Sequence, residues 1–378
     1  MLKKYTSLLY TRSLWQSGTS RRLSTRNGGV NDTRWGILSA GKIASDYCQA
    51  LHFTPGAQPY AIAAREITRA DAFARQYKVN KFYGSYEALL ADPNVDVVYI
   101  GSIADQHAKL ARMALEAGKP TVVEKPLTLS CMESQNLIDY ARERRIFLTE
   151  GMWTRCFPAT HAVRAWIRQG KIGQPFMIQG DFGWSTASCD ASNRIWYPGS
   201  GGLILDVAMY LAQWGFLVYG SDATIDSVQA MGTVKHGVDY TSTATCRFCL
   251  CGKDENDAYG FMQFYVSGQA NTEERIVIQG TKGRIVIEPP SHTPTRIRLE
   301  LDVGRGTIMQ ESHEFTEPDD SYTTWTNPGS IGFRHQITAV HQALEGGRLE
   351  CPDYTWEESL KVAALLDEIK DQVHKASS

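Results

Sequence analysis

The chain has 378 residues, 43% of them hydrophobic, with a formal net charge of −2. That length accommodates two domains with a sizeable core, and the near-neutral balance excludes a general attraction to nucleic acid or to an anionic membrane. Eight scattered cysteines exclude a small disulfide scaffold.

Residues 1 to 31 hold six basic side chains (Lys3, Lys4, Arg12, Arg21, Arg22 and Arg26), many serines and threonines, and no acid before Asp32. This composition is that of a mitochondrial transit peptide, or of a disordered extension that leaves the protein in the cytoplasm. No continuous apolar run suits a secretory signal. The segment is excluded from the fold, which is expected as a cofactor domain over 32–151 and a substrate and oligomerisation domain over 152–378.

Residues 34–39 form a short apolar run, followed by Ser39-Ala40-Gly41-Lys42-Ile43-Ala44 and a helical pattern through Leu51. The shape is Gly-x-Gly-x-x-Ala with serine at the first glycine position. In such a loop Gly41 lets the backbone approach a pyrophosphate and Ala44 permits close helix–strand packing; the helix N-terminus supplies amide donors. Ser39, Gly41, Lys42 and Ile43 are therefore expected at a dinucleotide. A second strand, 59–64, ends in Arg65, with Arg69 four residues on. An acid at this point would hold the ribose hydroxyls of NAD, whereas an arginine suits the 2′-phosphate of NADP. Strands at 95–100, 121–124 and 146–150 alternate with helices at 106–117 and 130–144, which predicts a parallel, doubly wound α/β sheet. The strand at 121–124 ends abruptly in Glu124-Lys125-Pro126. Ligands bind at the carboxyl ends of strands in open α/β sheets, so Lys125 is expected in the chemistry.

The second half reads as antiparallel β with helices. Strands are expected at 176–182, 224–234, 240–250, 260–267, 275–279 and 284–288, with Gly280-Thr281-Lys282-Gly283 as a hairpin turn. The apolar stretch 201–220 is interrupted by Asp206 and Gln213 and reads as a buried helix, not a membrane span. Cys246, Cys249 and Cys251 cluster, but no second Cys or His pair stands at metal spacing, so they read as free thiols and no metal is expected. Helices are expected at 331–345 and 356–374.

Several of these motifs fall in the order of a known family. Ser39-Ala40-Gly41-x-x-Ala44, His107, Gly118-Lys119-Pro120 and Glu124-Lys125-Pro126 resemble the glucose-fructose oxidoreductase/inositol dehydrogenase (Gfo/Idh/MocA) family. Glu150-Gly151-Met152-Trp153-Thr154-Arg155 with Phe157-Pro158, Gly201-Gly202-x-x-x-Asp206 with Tyr210, and Gln279-Gly280-Thr281-Lys282-Gly283 resemble its dimeric dihydrodiol dehydrogenases. The resemblance runs from Arg34 to the C-terminus. It implies a Rossmann domain followed by an α+β domain with a large, mostly antiparallel open sheet, a C-terminal segment returning to the first domain, and a homodimer. It also implies NADP-dependent oxidation of trans-dihydrodiols to catechols or of D-xylose to its lactone, the substrate being a small diol or aldose.

Within that frame His107 and Glu124 belong with the cofactor residues. Tyr210, four residues after Asp206, is the expected acid–base group, and Lys125 is the cation that would lower its pKa while bonding the substrate hydroxyl. Trp153, Phe182 and Trp325 are expected as pocket walls, Asp206 as a substrate contact, and Arg155 and Arg194 either as groups that position hydroxyls or as partners of acids. Ala208 departs from a glycine common in the family, and the segment around Trp325-Thr326-Asn327 lacks an acid that related enzymes carry. The other readings are a different sugar or polyol dehydrogenase, or a non-catalytic NADP-binding regulator. Both Lys125 and Tyr210 argue against the regulator, and the absence of a basic patch argues against DNA binding.

Overall fold

The computed structural model describes residues 32–250, 259–304, 306–321 and 323–377. The leader expected over 1–31 and Cys251 lie outside the described residues. The first half runs β1 (Thr33–Leu38), α1 (Lys42–His52), β2 (Ala57–Ala63), α2 (Ile67–Tyr77), β3 (Lys81–Tyr83), α3 (Tyr86–Leu90), β4 (Val97–Ile100), α4 (His107–Glu116), β5 (Thr121–Val123), α5 (Cys131–Arg144) and β6 (Leu148–Glu150). The six strands pair in parallel in the order β3-β2-β1-β4-β5-β6. Every residue of β4, β5 and β6 is buried, as expected of parallel strands covered on both faces by helices.

The second half runs α6 (Pro158–Arg168), β7 (Pro175–Gly183), α7 (Met209–Tyr219), β8 (Thr224–Lys235), β9 (Val238–Cys249), β10 (Tyr259–Ser267), β11 (Ile276–Gly280), β12 (Gly283–Ile287), β13 (Arg296–Asp302), β14 (Ile308–Glu314), α8 (Phe333–Glu345) and α9 (Trp356–Ser377). Its eight strands follow the order β14-β13-β12-β11-β7-β10-β9-β8, antiparallel except where β7 meets β10. Along β10 exposed and buried residues alternate, the pattern of a sheet with one covered and one open face. Gly280 pairs with Gly283, so Thr281-Lys282 is the predicted two-residue hairpin turn.

Five elements escaped the sequence reading: the short β3 and α3, and β13, β14 and α6. β13 (Arg-Ile-Arg-Leu-Glu-Leu-Asp) and β14 (Ile-Met-Gln-Glu-Ser-His-Glu) carry charged open faces near the sheet edge, which hide the apolar half of the pattern. α6 begins at Pro158, a good first helical residue. The apolar stretch 201–220 is an internal helix: among the described residues no helix is long and apolar enough to cross a membrane.

One hydrophobic core joins the two sheets, running from Trp35, Tyr47 and Tyr99 through Trp153 and Phe157 to Tyr210, Ile278 and Val373. Two returning segments fasten them further. Asp46 on α1, fully buried, accepts hydrogen bonds from Thr326 N, Asn327 N, Asn327 Nδ2 and Ser330 Oγ, each 2.8–2.9 Å long. On the other face of the parallel sheet, Asp367 of α9 accepts from Cys131 N at 2.8 Å and Leu349 O accepts from Leu148 N at 3.0 Å.

Candidate active site

The site lies where β1, β4 and β5 end. Ser39, at the first glycine position of the loop, holds a left-handed φ of 84°. Serine thus keeps the backbone shape for which glycine is usually required. Gly41 is the N-cap of α1, makes no side-chain cap and is followed by no acid in the first turn. The first amides of α1 therefore remain available to an anion. Gly101, at the end of β4, faces Ala44 so closely that an added Cβ would lie 3.1 Å from the Ala44 Cβ. This is the tight helix–strand approach that the loop pattern predicted for Ala44. Arg69 Nη2 reaches Ala40 O at 3.4 Å, which brings that guanidinium over the loop. Arg65 is also exposed, and both arginines act on the Tyr86 hydroxyl. Free helix amides beside two exposed arginines suit the phosphates of a dinucleotide.

Glu124 and Lys125 follow directly on β5. Glu124 is buried, accepts from Tyr99 Oη at 2.8 Å and takes Lys125 N at 3.1 Å. Burial raises its pKa, against the pull of Lys125. Lys125, its side chain 14% exposed, donates to Asp206 O at 2.5 Å and Asp206 Oδ1 at 3.1 Å. An ammonium has three donors, and these two contacts leave one for a substrate oxygen. Burial is the largest single influence and opposes its charge, but Asp206, with Tyr210 and Glu124 behind it, outweighs burial and leaves the Lys125 pKa raised.

Asp206 sits in a single π-helical turn, Ile204–Ala208, that opens α7. Such turns shift side chains out of α register and recur at functional sites. The preceding Gly202 takes a φ of 93°, and a Cβ there would come within 2.2 Å of Asp239 Oδ1; the same carboxylate accepts from Ile204 N at 2.6 Å. The Gly-Gly-x-x-x-Asp motif therefore lets the chain turn against Asp239 and aim Asp206 at Lys125. Asp206 also receives Arg194 Nη2 at 3.0 and 3.2 Å. Burial works against its charge, yet Lys125 and Arg194 hold its pKa down at about 2.

Tyr210 lies on α7, 7% exposed, with Lys125 Nζ 4.9 Å from its ring centre. Its ring stacks on Phe182 at 5.8 Å. Trp153 is buried nearby, stacked 4.2 Å from Phe333. Its indole N–H has no fully formed hydrogen bond yet favours the Tyr210 anion. The expectation that Lys125 would bring the Tyr210 pKa below its ordinary value is corrected. Burial dominates and lifts it to about 12; Lys125 opposes that rise, and Glu124 and Asp206 add to it. Much of the Lys125 charge is already matched by Asp206.

Three other expected contacts are elsewhere. Arg155 is fully buried on the side of its 3₁₀ turn (Trp153–Cys156) opposite Trp153. It donates to Glu358 Oε1 at 2.7 Å and to Gln213 O at 3.3 Å, so it fastens α9 and α7 and does not reach substrate. His107 is buried, with Nδ1 2.6 Å from Pro126 O and Nε2 3.1 Å from Ser102 O. Both nitrogens are occupied by backbone, so it shapes the Glu-Lys-Pro turn from behind. Trp325 donates to Asp320 at 2.7 Å and its ring lies 5.8 Å from Phe53, just past the end of α1. The eleven residues of α1 span roughly 16 Å at about 1.5 Å each, which sets Trp325 at the far end of that helix from the phosphate loop.

The sequence reading missed His292. Its ring centre lies 5.4 Å from Tyr210, 5.2 Å from Phe182 and 6.1 Å from Trp153, and its Nδ1 is 2.7 Å from Glu274 Oε2. The available signal was a histidine in the Pro-Pro-Ser-His-Thr-Pro turn after a predicted hairpin.

The geometry can be set beside known proteins. The profile described as "Oxidoreductase family, NAD-binding Rossmann fold" matches residues 33–152, and the Gfo/Idh/MocA C-terminal domain profile matches 160–286. The trans-1,2-dihydrobenzene-1,2-diol dehydrogenase of Sus scrofa is 32% identical over 90% of this chain and 96% of its own length. That of Homo sapiens is 31% identical over the same shares. Among solved structures, a 3-ketoreductase from Actinomadura kijaniata in complex with NADP and TDP-benzene superposes with a TM-score of 0.74 at 22% identity, over 91% of this chain and 98% of that one. Levoglucosan dehydrogenase with NADH and levoglucosan gives 0.77 at 18%, over 92% and 98%. At such identities these two speak for the fold alone. Matching profiles across both halves, together with relatives above 30% identity along nearly the whole length, establish that the chain belongs to the Gfo/Idh/MocA oxidoreductase family.

Proposed function

We infer that the chain is an NADP-dependent dehydrogenase that oxidises a ring alcohol of a small diol, a trans-dihydrodiol to a catechol, with D-xylose to its lactone as a second reaction. The observation that carries this reading is the cluster of Lys125, Asp206 and Tyr210 at the carboxyl edge of the parallel sheet, between aromatic walls. The names of the relatives support the diol, and Arg65 with Arg69 beside the phosphate loop supports the 2′-phosphate of NADP.

When bound, the nicotinamide supplies the hydride acceptor. Ser39, Gly41, Lys42 and Ile43 would hold its pyrophosphate, with Arg65 and Arg69 on the ribose phosphate. Asp206 fixes Lys125 so that its remaining N–H meets the substrate oxygen and stabilises the charge that grows there. Tyr210 takes the hydroxyl proton as the alcohol becomes a carbonyl and returns it in the reverse direction. Phe182 and Trp153 exclude water from the ring.

The test is turnover by the purified chain, followed as NADPH absorbance, with NADP or NAD and a panel of trans-dihydrodiols, aldoses and inositols. The expected result is oxidation of a dihydrodiol with NADP preferred. Tight NADPH binding with no turnover of any alcohol would point to a regulator instead.

A further inference from the structure

We propose that His292, backed by Glu274, is a specificity-determining residue that accepts a hydrogen bond from a second substrate hydroxyl, adjacent to the one oxidised. The proposal rests on the reading of Lys125 and Tyr210 as the oxidising site and adds what the rest of the pocket selects.

The turn between β12 and β13 carries His292 to the catalytic tyrosine and is pinned there. Thr154 Oγ1, next to Trp153, donates to His292 O at 2.5 Å. Ser291 N donates to Glu274 O at 2.8 Å, and Glu274 N to Asp181 Oδ2 at 3.0 Å. Glu274 itself holds a left-handed φ of 58°. A non-glycine residue in that region is costly and is kept only where its surroundings fix it. Here the conformation goes with the approach of the carboxylate to the imidazole.

The pair has a defined polarity. An ionised carboxylate only accepts, so the 2.7 Å contact requires the proton on Nδ1. In the neutral ring Nε2 is then left as an acceptor, the tautomer logic of a carboxylate-held histidine. Among the described residues no protein group is bonded to Nε2. The ring is only 21% exposed and is surrounded by Tyr210, Phe182 and Trp153. It therefore sets one acceptor into an otherwise aromatic wall, one ring away from the group that handles the reacting hydroxyl. An aromatic wall alone accepts a ring alcohol with or without a neighbouring oxygen. An acceptor aimed into the pocket favours a molecule that brings a second O–H, and a substrate without one leaves a polar atom unpaired.

The experiment compares trans-1,2-dihydrobenzene-1,2-diol with 2-cyclohexen-1-ol, which lacks the second hydroxyl, as the ratio of their kcat/KM values with NADP. Wild type should favour the diol. His292→Phe keeps a ring in the wall but no acceptor, and should lower the ratio by about ten- to a hundredfold. Glu274→Gln can turn its amide N–H₂ toward Nδ1 and release the tautomer, so it should lower the ratio less. His292→Gln restores an acceptor and should recover part of the preference. A merely structural role would depress both alcohols together and leave the ratio unmoved in all three variants, which overturns the proposal. Should His292→Phe fail to fold, the Glu274→Gln ratio decides by the same criterion. Wild type that oxidises both alcohols equally overturns this inference and leaves the proposed function standing; wild type that oxidises neither overturns both.

Discussion

At the scale of single residues, the site is a set of charges matched so closely that little is left over. Lys125 and Arg194 share Asp206, and Tyr210 receives only a remnant of the Lys125 field, too weak to offset its burial. The two arginines beside the loop are different: Arg65 and Arg69 stay exposed. Arg65→Ala should raise the KM for NADP by about ten- to a hundredfold, the worth of a charge-assisted phosphate contact, and barely change that for NAD. Steady-state kinetics with both cofactors checks this, and equal effects would mean that Arg65 does not read the 2′-phosphate. Residues placed by a backbone frame were legible in the sequence, Gly41 by the loop and Lys125 by the end of a strand, whereas Asp206 and Tyr210 were singled out through the family resemblance of the Gly-Gly motif and lie beside Lys125 in the structure. His292 was not, because its partner Glu274 is 18 positions away across a hairpin and no local spacing links them.

At the scale of elements, strands and helices followed their periodicity wherever one face was uniformly apolar. Failures came where sidedness was decided by tertiary packing. Trp153 and Arg155 are two residues apart on one 3₁₀ turn, yet one faces the site and the other faces α9. Nothing in Trp-Thr-Arg-Cys says which is which. The buried pair of Arg155 and Glu358 gives a test at this scale. Arg155→Met strands the Glu358 carboxylate, a loss of about 3–5 kcal/mol for breaking a buried pair. At roughly 2 cal/mol/K of unfolding entropy per residue, a chain of 378 residues shifts by about 1.3 °C per kcal/mol, so the melting temperature should drop by about 5 °C, with turnover per folded molecule near wild type. Unchanged melting with lost turnover would return Arg155 to the substrate pocket.

At the scale of the molecule, the site depends on two sheets being held in one register. The cofactor edge comes from the parallel sheet, and Asp206, Tyr210, Phe182 and His292 come from the second half. Asp46 and Asp367 clasp the returning segments so that the two sets of residues meet. The account then stands on Tyr210 as the proton-handling group, and its buried phenol gives a signed expectation. Oxidation needs the phenolate, so kcat/KM for the diol should still be rising at pH 10, toward a Tyr210 pKa of about 12. Carbonyl reduction, which needs the phenol, should be flat to that pH. The most direct measurement is the pH profile of diol oxidation by wild type and by Tyr210→Phe, which keeps the ring and removes the ionising group. The predicted result is a fall in kcat of about 10² to 10⁴ together with loss of the alkaline rise, while NADPH binding is unchanged; a Tyr210→Phe enzyme with wild-type turnover and the same rising profile would contradict the account.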